Sequence, residues 1–219
     1  MTSDDYANKP DAYFAGARRD LVDRLPLDPG AVILEIGCGA GGTGAHALRE
    51  GKCKRYVGID ISDAAASKAR IRLSEVLVDD VETMAFPWPE QTFDALIMSE
   101  VLEHLRDPWE ALERLLPLVK QHGLIMASSP NISHHRVIRN LFRGRWELTE
   151  SGVMDSTHLR WFTPASFEKM FTDVGVRVES IGPVAEFGWK AKAINKLTGN
   201  KMRHLFMTQI CLIGHRGAG

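Results

Sequence analysis

Glu35 and Asp60 are the two carboxylates that give this sequence a chemical reading, because a dense run of glycines lies between them. Gly37, Gly39, Gly41 and Gly42 follow Glu35 almost at once. Glycine lets a chain turn sharply and lets a ligand approach the backbone with no Cβ in the way. A carboxylate two positions before the first glycine suits a ligand that carries an ammonium group. Asp60 closes the next apolar run, where a carboxylate can accept hydrogen bonds from two ribose hydroxyls. The pair predicts a site for a positively charged nucleoside. Gly37, Gly39 and Gly42 also fit G-x-G-x-x-G, the dinucleotide pattern. Glu35 argues against that ligand, since a pyrophosphate has no use for a carboxylate there.

These residues need a strand, a loop, a helix and a second strand to hold them. Val32 to Ile36 is a short apolar run of the kind seen in buried parallel strands. Thr43 to Glu50 reads as a helix whose first N–H groups and partial positive charge point at the loop. Tyr56 to Ile59 is the second strand, and the ligand should lie at the carboxyl ends of the strands. Further strands are expected at Glu75 to Val78, Phe93 to Ser99, Gly123 to Ala127, Val176 to Val184 and Phe206 to Gly214. Helices are expected at residues 12–25, with Tyr13, Phe14, Leu21, Val22 and Leu25 on one face, and from Ser62 as N-cap to Leu73. Another opens at Asp107-Pro108 and is kinked or ended by Pro117; a fourth opens at Thr163-Pro164 and ends at Gly175. Residues 185–204 read as a basic connection.

An α/β fold follows: a Rossmann-like sheet with helices on both faces, as a single domain over residues 1–219. Residues 131–163 are too long for a plain connection and are read as a helical lid inserted in it. Within it, Ser133 to Arg143 places Val137, Ile138, Leu141 and Phe142 on one helical face and Arg136, Arg139 and Arg143 on another.

The segment E-x-G-x-G-x-G, Glu35 to Gly41, resembles motif I of the class I S-adenosylmethionine-dependent methyltransferases. A second segment, FD followed by EVLEHL at 100–105, resembles motif IV of small-molecule members such as the ubiquinone-biosynthesis O-methyltransferases. Ser-x-Pro-Asn at 128–131 resembles the same group, and D-x-x-H-L-R-x-F-T from Asp155 to Thr163 resembles methyltransferases of glycan-biosynthesis clusters. The resemblance implies a seven-stranded sheet, mostly parallel, with its last strand antiparallel between the fifth and sixth. It implies S-adenosylmethionine as cofactor, held by Glu35, Gly37, Cys38, Gly39 and Gly41, with Asp60 and Ile61 at the ribose. Asp80 would hold the adenine amino group, with Asp79 the alternative and the Val81 N–H at a ring nitrogen. Glu100 and His104 come off the end of the fourth strand beside the site where the methyl group should sit, and Ser99 and Glu100 count among the cofactor residues.

Methyl transfer from a sulfonium needs no acid for its leaving group, but a hydroxyl acceptor must lose a proton. Histidine suits that task. His158 stands first as base, with Asp155 three residues earlier to orient its ring; His104 is second, or else shapes the pocket. His134 and His135 are read as solvated loop residues. Asp155 with either histidine makes too small a ligand set for a metal, and none is expected.

Arg136, Arg139 and Arg160 could grip a phosphorylated or acidic substrate, such as a nucleotide-linked or lipid-linked sugar. They could equally form a solvated face, or the helix could lie on an anionic membrane. The acceptor expected first is a hydroxyl of a sugar or glycan precursor, with a quinone or phenolic metabolite as the alternative. An NAD-dependent oxidoreductase and a non-catalytic S-adenosylmethionine-binding module are the rivals from other classes.

Composition bounds these readings. The 219 residues are 44% hydrophobic and 25% charged, with a net charge of -1, so nothing global draws the chain to nucleic acid. Asn-Pro-Pro-Tyr is missing after the fourth strand, which argues against a nucleic-acid or amide methylase. Cys38, Cys53 and Cys211 show no ligand spacing and read as reduced thiols of a cytoplasmic protein. The polar start is no signal peptide, and no apolar run is long enough to span a bilayer. A monomer or homodimer with at most peripheral membrane contact is expected.

Overall fold

The computed structural model describes residues 16–217. Its elements run α1 (Arg19–Val22), β1 (Val32–Ile36), α2 (Gly42–Arg49), β2 (Arg55–Asp60), α3 (Asp63–Ala69), β3 (Glu75–Val78) and β4 (Phe93–Ser99). They continue with α4 (Pro108–Leu115), β5 (Val119–Pro130), α5 (His135–Phe142), α6 (Pro164–Asp173), β6 (Val176–Pro183), α7 (Trp189–Leu197) and β7 (Gln209–Arg216). One seven-stranded sheet has the order β3-β2-β1-β4-β5-β7-β6. The pairs β1–β2, β1–β4, β2–β3 and β4–β5 are parallel. β7 is antiparallel to both β5 and β6, as the resemblance implied.

Because successive strand residues face opposite sides, neighbouring positions feed two separate cores. Leu34, Val57 and Leu96 join Leu112 and Leu115 of α4 and Phe167 and Phe171 of α6 on one face. Ile33, Tyr56 and Ala95 join Leu21 and Val22 of α1 and Ala47 of α2 on the other. Gly44 is what lets α2 settle there: a Cβ on it would stand 2.4 Å from the Tyr56 ring.

Several helix ends follow their local chemistry. Ser62 caps α3 by accepting from the Ala65 N–H at 3.3 Å. Asp107 caps α4 through the N–H groups of Trp109 and Glu110, with Pro108 at the first position. Thr163 and Ser166 form a capping box at α6.

The structure also departs from the expectations. Residues 16–18 are not helical and α1 is one turn long; residues 12–15, with Tyr13 and Phe14, lie outside the described residues. α4, by contrast, stops at Leu115 as the early end expected at Pro117 allows, and Pro117 sits in a short 3-10 turn. β5 begins at Val119, because Val119 still pairs with Phe93 across an irregularity that puts His122 at φ +60°. The basic connection holds a helix, α7, and the turn Arg203–Phe206, so the last strand starts three residues later than expected.

Residues 132–162 form an excursion closed at its base. Asn131 bridges Phe162, and the Ile132 N–H donates to the Phe162 carbonyl at 2.9 Å. Apart from α5 the excursion is built of turns.

Candidate active site

A cavity of about 660 Å³ opens at the carboxyl ends of β1 to β5. Its walls are the loops that leave those strands, the start of β7, and residues 152–158 of the excursion. Ten of the eleven expected cofactor residues line it, Glu35, Gly37, Cys38, Gly39, Asp60, Ile61, Asp80, Val81, Ser99 and Glu100; Gly41 does not.

The glycine loop has the shape its sequence demands. Gly37, Gly39 and Gly41 take φ of +70°, +54° and +76°, which side chains with a Cβ rarely adopt. A Cβ on Gly37 would also crowd Val101 at 3.2 Å. Asp60 holds the loop in place: its Oδ2 accepts from the Gly39 N–H at 2.7 Å and its Oδ1 from the Ser62 N–H at 2.9 Å. A carboxylate oxygen accepts more than one hydrogen bond, so Asp60 keeps capacity for hydroxyls in the cavity. Cys38 fills the space above Gly58, where a Cβ would stand 2.5 Å from the sulfur. Burial pushes its thiol far up, so it is no nucleophile.

Glu35 is buried beneath this loop and accepts from the Tyr56 hydroxyl at 3.0 Å. Burial pushes its carboxyl up to about 8, although the Tyr56 and Thr43 hydroxyls favour the charged form. Asp79 and Asp80 both line the cavity, and the Oδ1 of Asp80 also accepts from the Glu82 N–H at 2.9 Å.

Arg18 is the residue that the sequence reading missed. It reaches in from the segment before α1, where Nη1 donates to Ser128 Oγ at 2.7 Å and also contacts Ser99 Oγ. Asp20 grips the same guanidinium through two contacts of 2.8 Å. Ser128 Oγ donates on to Glu100 Oε1 at 2.8 Å, and Gln209 Nε2 donates to Glu100 Oε2 at 2.9 Å. Glu100 itself sits at φ +55°, a strained conformation for a residue with a side chain. The hint of Arg18 was its place on the apolar face of the helix expected at residues 12–25, which the resemblance lets either close over the cofactor or simply cover the sheet.

Charge selects the ligand. Among the described residues lining the cavity, Arg18 is the one fixed cation; eight are acids, Glu35, Asp60 and Glu100 among them. An acid-walled cavity suits a ligand carrying sulfonium and ammonium charges and repels a pyrophosphate.

The excursion brings two histidines to the far wall. His104, just after β4, and His158 pack edge to face with centroids 4.8 Å apart. His104 Nδ1 lies 3.2 Å from the Thr157 carbonyl, and His158 Nδ1 lies 3.2 Å from the Val153 carbonyl. A carbonyl can only accept, so each Nδ1 carries a proton and Nε2 is the basic nitrogen. Val153 is a partner for His158 that the sequence did not suggest. Asp155 accepts from the Thr157 N–H at 2.9 Å and its hydroxyl at 2.8 Å, which shapes the turn that carries His158.

Glu103 ties the two segments together. Its carbonyl accepts from the N–H groups of Leu159 at 2.8 Å and Arg160 at 3.0 Å. Its carboxyl is buried, accepts from Ser129 Oγ at 3.1 Å, and leaves Oε1 with no partner. Burial, and then Glu100, push it well above the usual carboxylate range. Glu103, His104 and His158 place one donor atom each within 4.8 Å of one another, the trio among the described residues that could hold a metal ion.

The expected substrate arginines are elsewhere. Arg136 and Arg139 are exposed on α5, and Arg160 donates to the carbonyls of Leu159 and Arg106. None of the three lines the cavity. His134 is buried rather than solvated; burial lowers it to about 4, and its neutral ring caps α5 by accepting from the Arg136 N–H at 3.4 Å.

Sheet order, glycine loop and acid-walled cavity together define a methyltransferase of the S-adenosylmethionine-dependent class. The family model described as "Methyltransferase domain" matches residues 11–181, and the chain belongs to that family. The chain is 28% identical over 112 residues to a trans-aconitate 2-methyltransferase of Enterobacter sp. (strain 638), covering 51% of this chain and 44% of that one. It is 37% identical over 111 residues to a ubiquinone biosynthesis O-methyltransferase of Alkalilimnicola ehrlichii (47% and 42%). These alignments span just under half the length of those relatives. Its fold superposes on that of a SAM-dependent methyltransferase from Archaeoglobus fulgidus with a TM-score of 0.66 and 22% identity, covering 94% and 97% of the two chains.

Proposed function

We propose that this protein transfers a methyl group from S-adenosylmethionine to a hydroxyl of a small molecule, and that a sugar or glycan precursor is the acceptor. The observation that carries this reading is the pairing of an acid-walled nucleoside pocket with two histidines that pack on each other in its lining. S-adenosylmethionine, once bound, supplies an electrophilic methyl on sulfur and a neutral thioether as leaving group.

The chain does the rest. Glu35 ionises to meet the ammonium, and Asp60 accepts from the ribose. Asp80, or Asp79 beside it, takes the adenine amino group. Arg18 offers the one fixed positive charge for a carboxylate. His158 then removes the acceptor's proton through Nε2, while the Val153 carbonyl keeps Nδ1 protonated. His104 backs it on the same wall, and the turn made by Asp155 aims it. The residues 131–163 act as the lid that carries this wall. A methyl acceptor with an anionic oxygen would need no base, so the histidine pair favours a hydroxyl over a carboxylate.

Transfer of tritiated methyl from S-adenosylmethionine into fractionated cell extract tests this. Label should enter the nucleotide-sugar or lipid-linked glycan fraction and be lost in His158→Ala. Label in quinone precursors would move the acceptor to a phenol. Label in protein or nucleic acid would reject a small-molecule acceptor.

A further inference from the structure

Beside the cavity mouth lies a surface that methyl transfer leaves unexplained. Eight of the twelve exposed large hydrophobic side chains among the described residues fall between 141 and 148 or between 189 and 202. Phe142, Trp189 and Leu197 are 88%, 76% and 87% exposed. Apolar side chains this exposed and this clustered mark a contact surface.

The same two segments are basic. Arg136, Arg139, Arg143 and Arg145 are exposed on and just after α5. Lys190, Lys192, Lys196 and Lys201 are exposed on and just after α7; the acids within the two segments are Glu186, which pairs with Lys192 at 2.7 Å, and the exposed Glu147. The chain as a whole carries -1, so this is a local concentration.

Both segments are fastened to one turn. His135, at the start of α5, lies 3.0 Å from the Leu205 carbonyl and stacks near Phe206 at 5.9 Å. Phe187, just before α7, packs on Phe206 at 6.5 Å and lies under the Arg203 guanidinium at 6.0 Å. That turn runs straight into Thr208 and Gln209 of the cavity wall. The two basic, apolar helices therefore flank one edge of the site.

We infer that this surface docks on a bilayer that contains anionic lipid. Arginine and lysine with protruding aromatic and aliphatic side chains on a short amphipathic helix is the composition of an interfacial element. Lysine and arginine stems lie along the apolar layer while their heads reach phosphates. A second copy of the same cationic face would be repelled, which argues against a symmetric dimer through it. No helix among the described residues is long and apolar enough to cross a membrane, so the contact lies on the bilayer. The inference is independent of the acceptor's identity; under the proposed function it would bring the cavity to a lipid-linked substrate.

Co-sedimentation of the full chain with vesicles tests it. One set contains phosphatidylcholine alone and the other phosphatidylcholine with a third phosphatidylglycerol. Binding to the anionic set is expected at low salt, with loss at high salt. Arg143→Ala and Lys196→Ala should each weaken it about fivefold, at roughly the worth of one charge near the surface. Phe142→Glu with Trp189→Glu should abolish it, while S-adenosylhomocysteine binding stays unchanged as a check on folding. No binding to anionic vesicles would overturn the inference. So would binding that inorganic phosphate competes away and the apolar variants leave intact, which would mean an ion site. Concentration-dependent self-association lost in Phe142→Glu would replace the bilayer with a second copy.

Discussion

Between Gly37 and Asp60 the cavity wall is made of backbone; between Asp155 and Arg160 it is made of side chains that turns hold in place. In the first region the geometry is local. Three glycines at positive φ and one aspartate that accepts from the loop's Gly39 N–H and from the Ser62 N–H beyond the second strand define it. In the second region the geometry is long-range. His158 meets His104 because the Glu103 carbonyl, fifty-odd residues earlier, accepts the N–H groups of Leu159 and Arg160. The proposed cofactor contacts lie in the first region and the proposed base in the second.

That division predicts separable effects. The largest belongs to the histidine wall: His158→Ala should lower kcat by about 10²- to 10⁴-fold, the usual worth of a general base, with S-adenosylhomocysteine affinity unchanged. Activity that survives this substitution, measured as initial rate, would move the base to His104. If the pair acts as a base rather than as metal ligands, EDTA should leave the rate unchanged; a rate restored only by a divalent ion would assign Glu103, His104 and His158 to a metal.

Next is Asp60→Ala, which should weaken S-adenosylhomocysteine binding by roughly 10²- to 10³-fold, since two hydrogen bonds to a charged group are lost together with the loop's anchor. Calorimetric titration reads this directly. A normal dissociation constant in this variant would remove Asp60 from the ribose.

Glu35 predicts a pH dependence. Its carboxyl is pushed up to about 8 in the folded chain, so at pH 6–7 it is protonated and must lose that proton to meet an ammonium group. S-adenosylhomocysteine should therefore bind more tightly as pH rises toward 8, by up to about tenfold per unit, and the trend should vanish in Glu35→Gln. Stability runs the other way. A carboxyl raised above its unfolded value stabilises the fold below about pH 4.5, and that contribution is lost as pH rises through 8. Glu35→Gln should then melt higher than the parent at pH 9, by about 2–4 °C for each kcal/mol released. Equal melting temperatures would place Glu35 in contact with water.

The smallest effect is expected outside both regions. Arg136→Glu with Arg139→Glu should change KM for a water-soluble acceptor by less than about threefold, because exposed charges contribute little and neither side chain lines the cavity. A large rise in KM would bring α5 over the mouth.

The same contrast explains what was legible. Val32–Ile36, Glu75–Val78 and Phe93–Ser99 stand where the apolar runs put them, since a buried parallel strand is written as a continuous run. The glycine loop was legible because glycine adopts those φ values without the strain that a Cβ brings. Arg18 was hidden by a short apolar face that looked helical, and its partners Ser99 and Ser128 come from strands about eighty and one hundred and ten positions away. Glu103 looked like one more acid in EVLEHL; only the folded chain shows that it joins that motif to His158. The arginines of α5 pointed to a substrate by composition, and the fold turned them to the surface, which composition alone cannot decide.

The division of labour is tested most directly by calorimetric titration of S-adenosylhomocysteine into His158→Ala, His104→Ala and Asp60→Ala at pH 8. The account predicts parental affinity in both histidine variants and a loss of at least about a hundredfold in Asp60→Ala. Affinity lost to the same extent in His158→Ala would contradict it, because the histidine wall would then belong to the cofactor site.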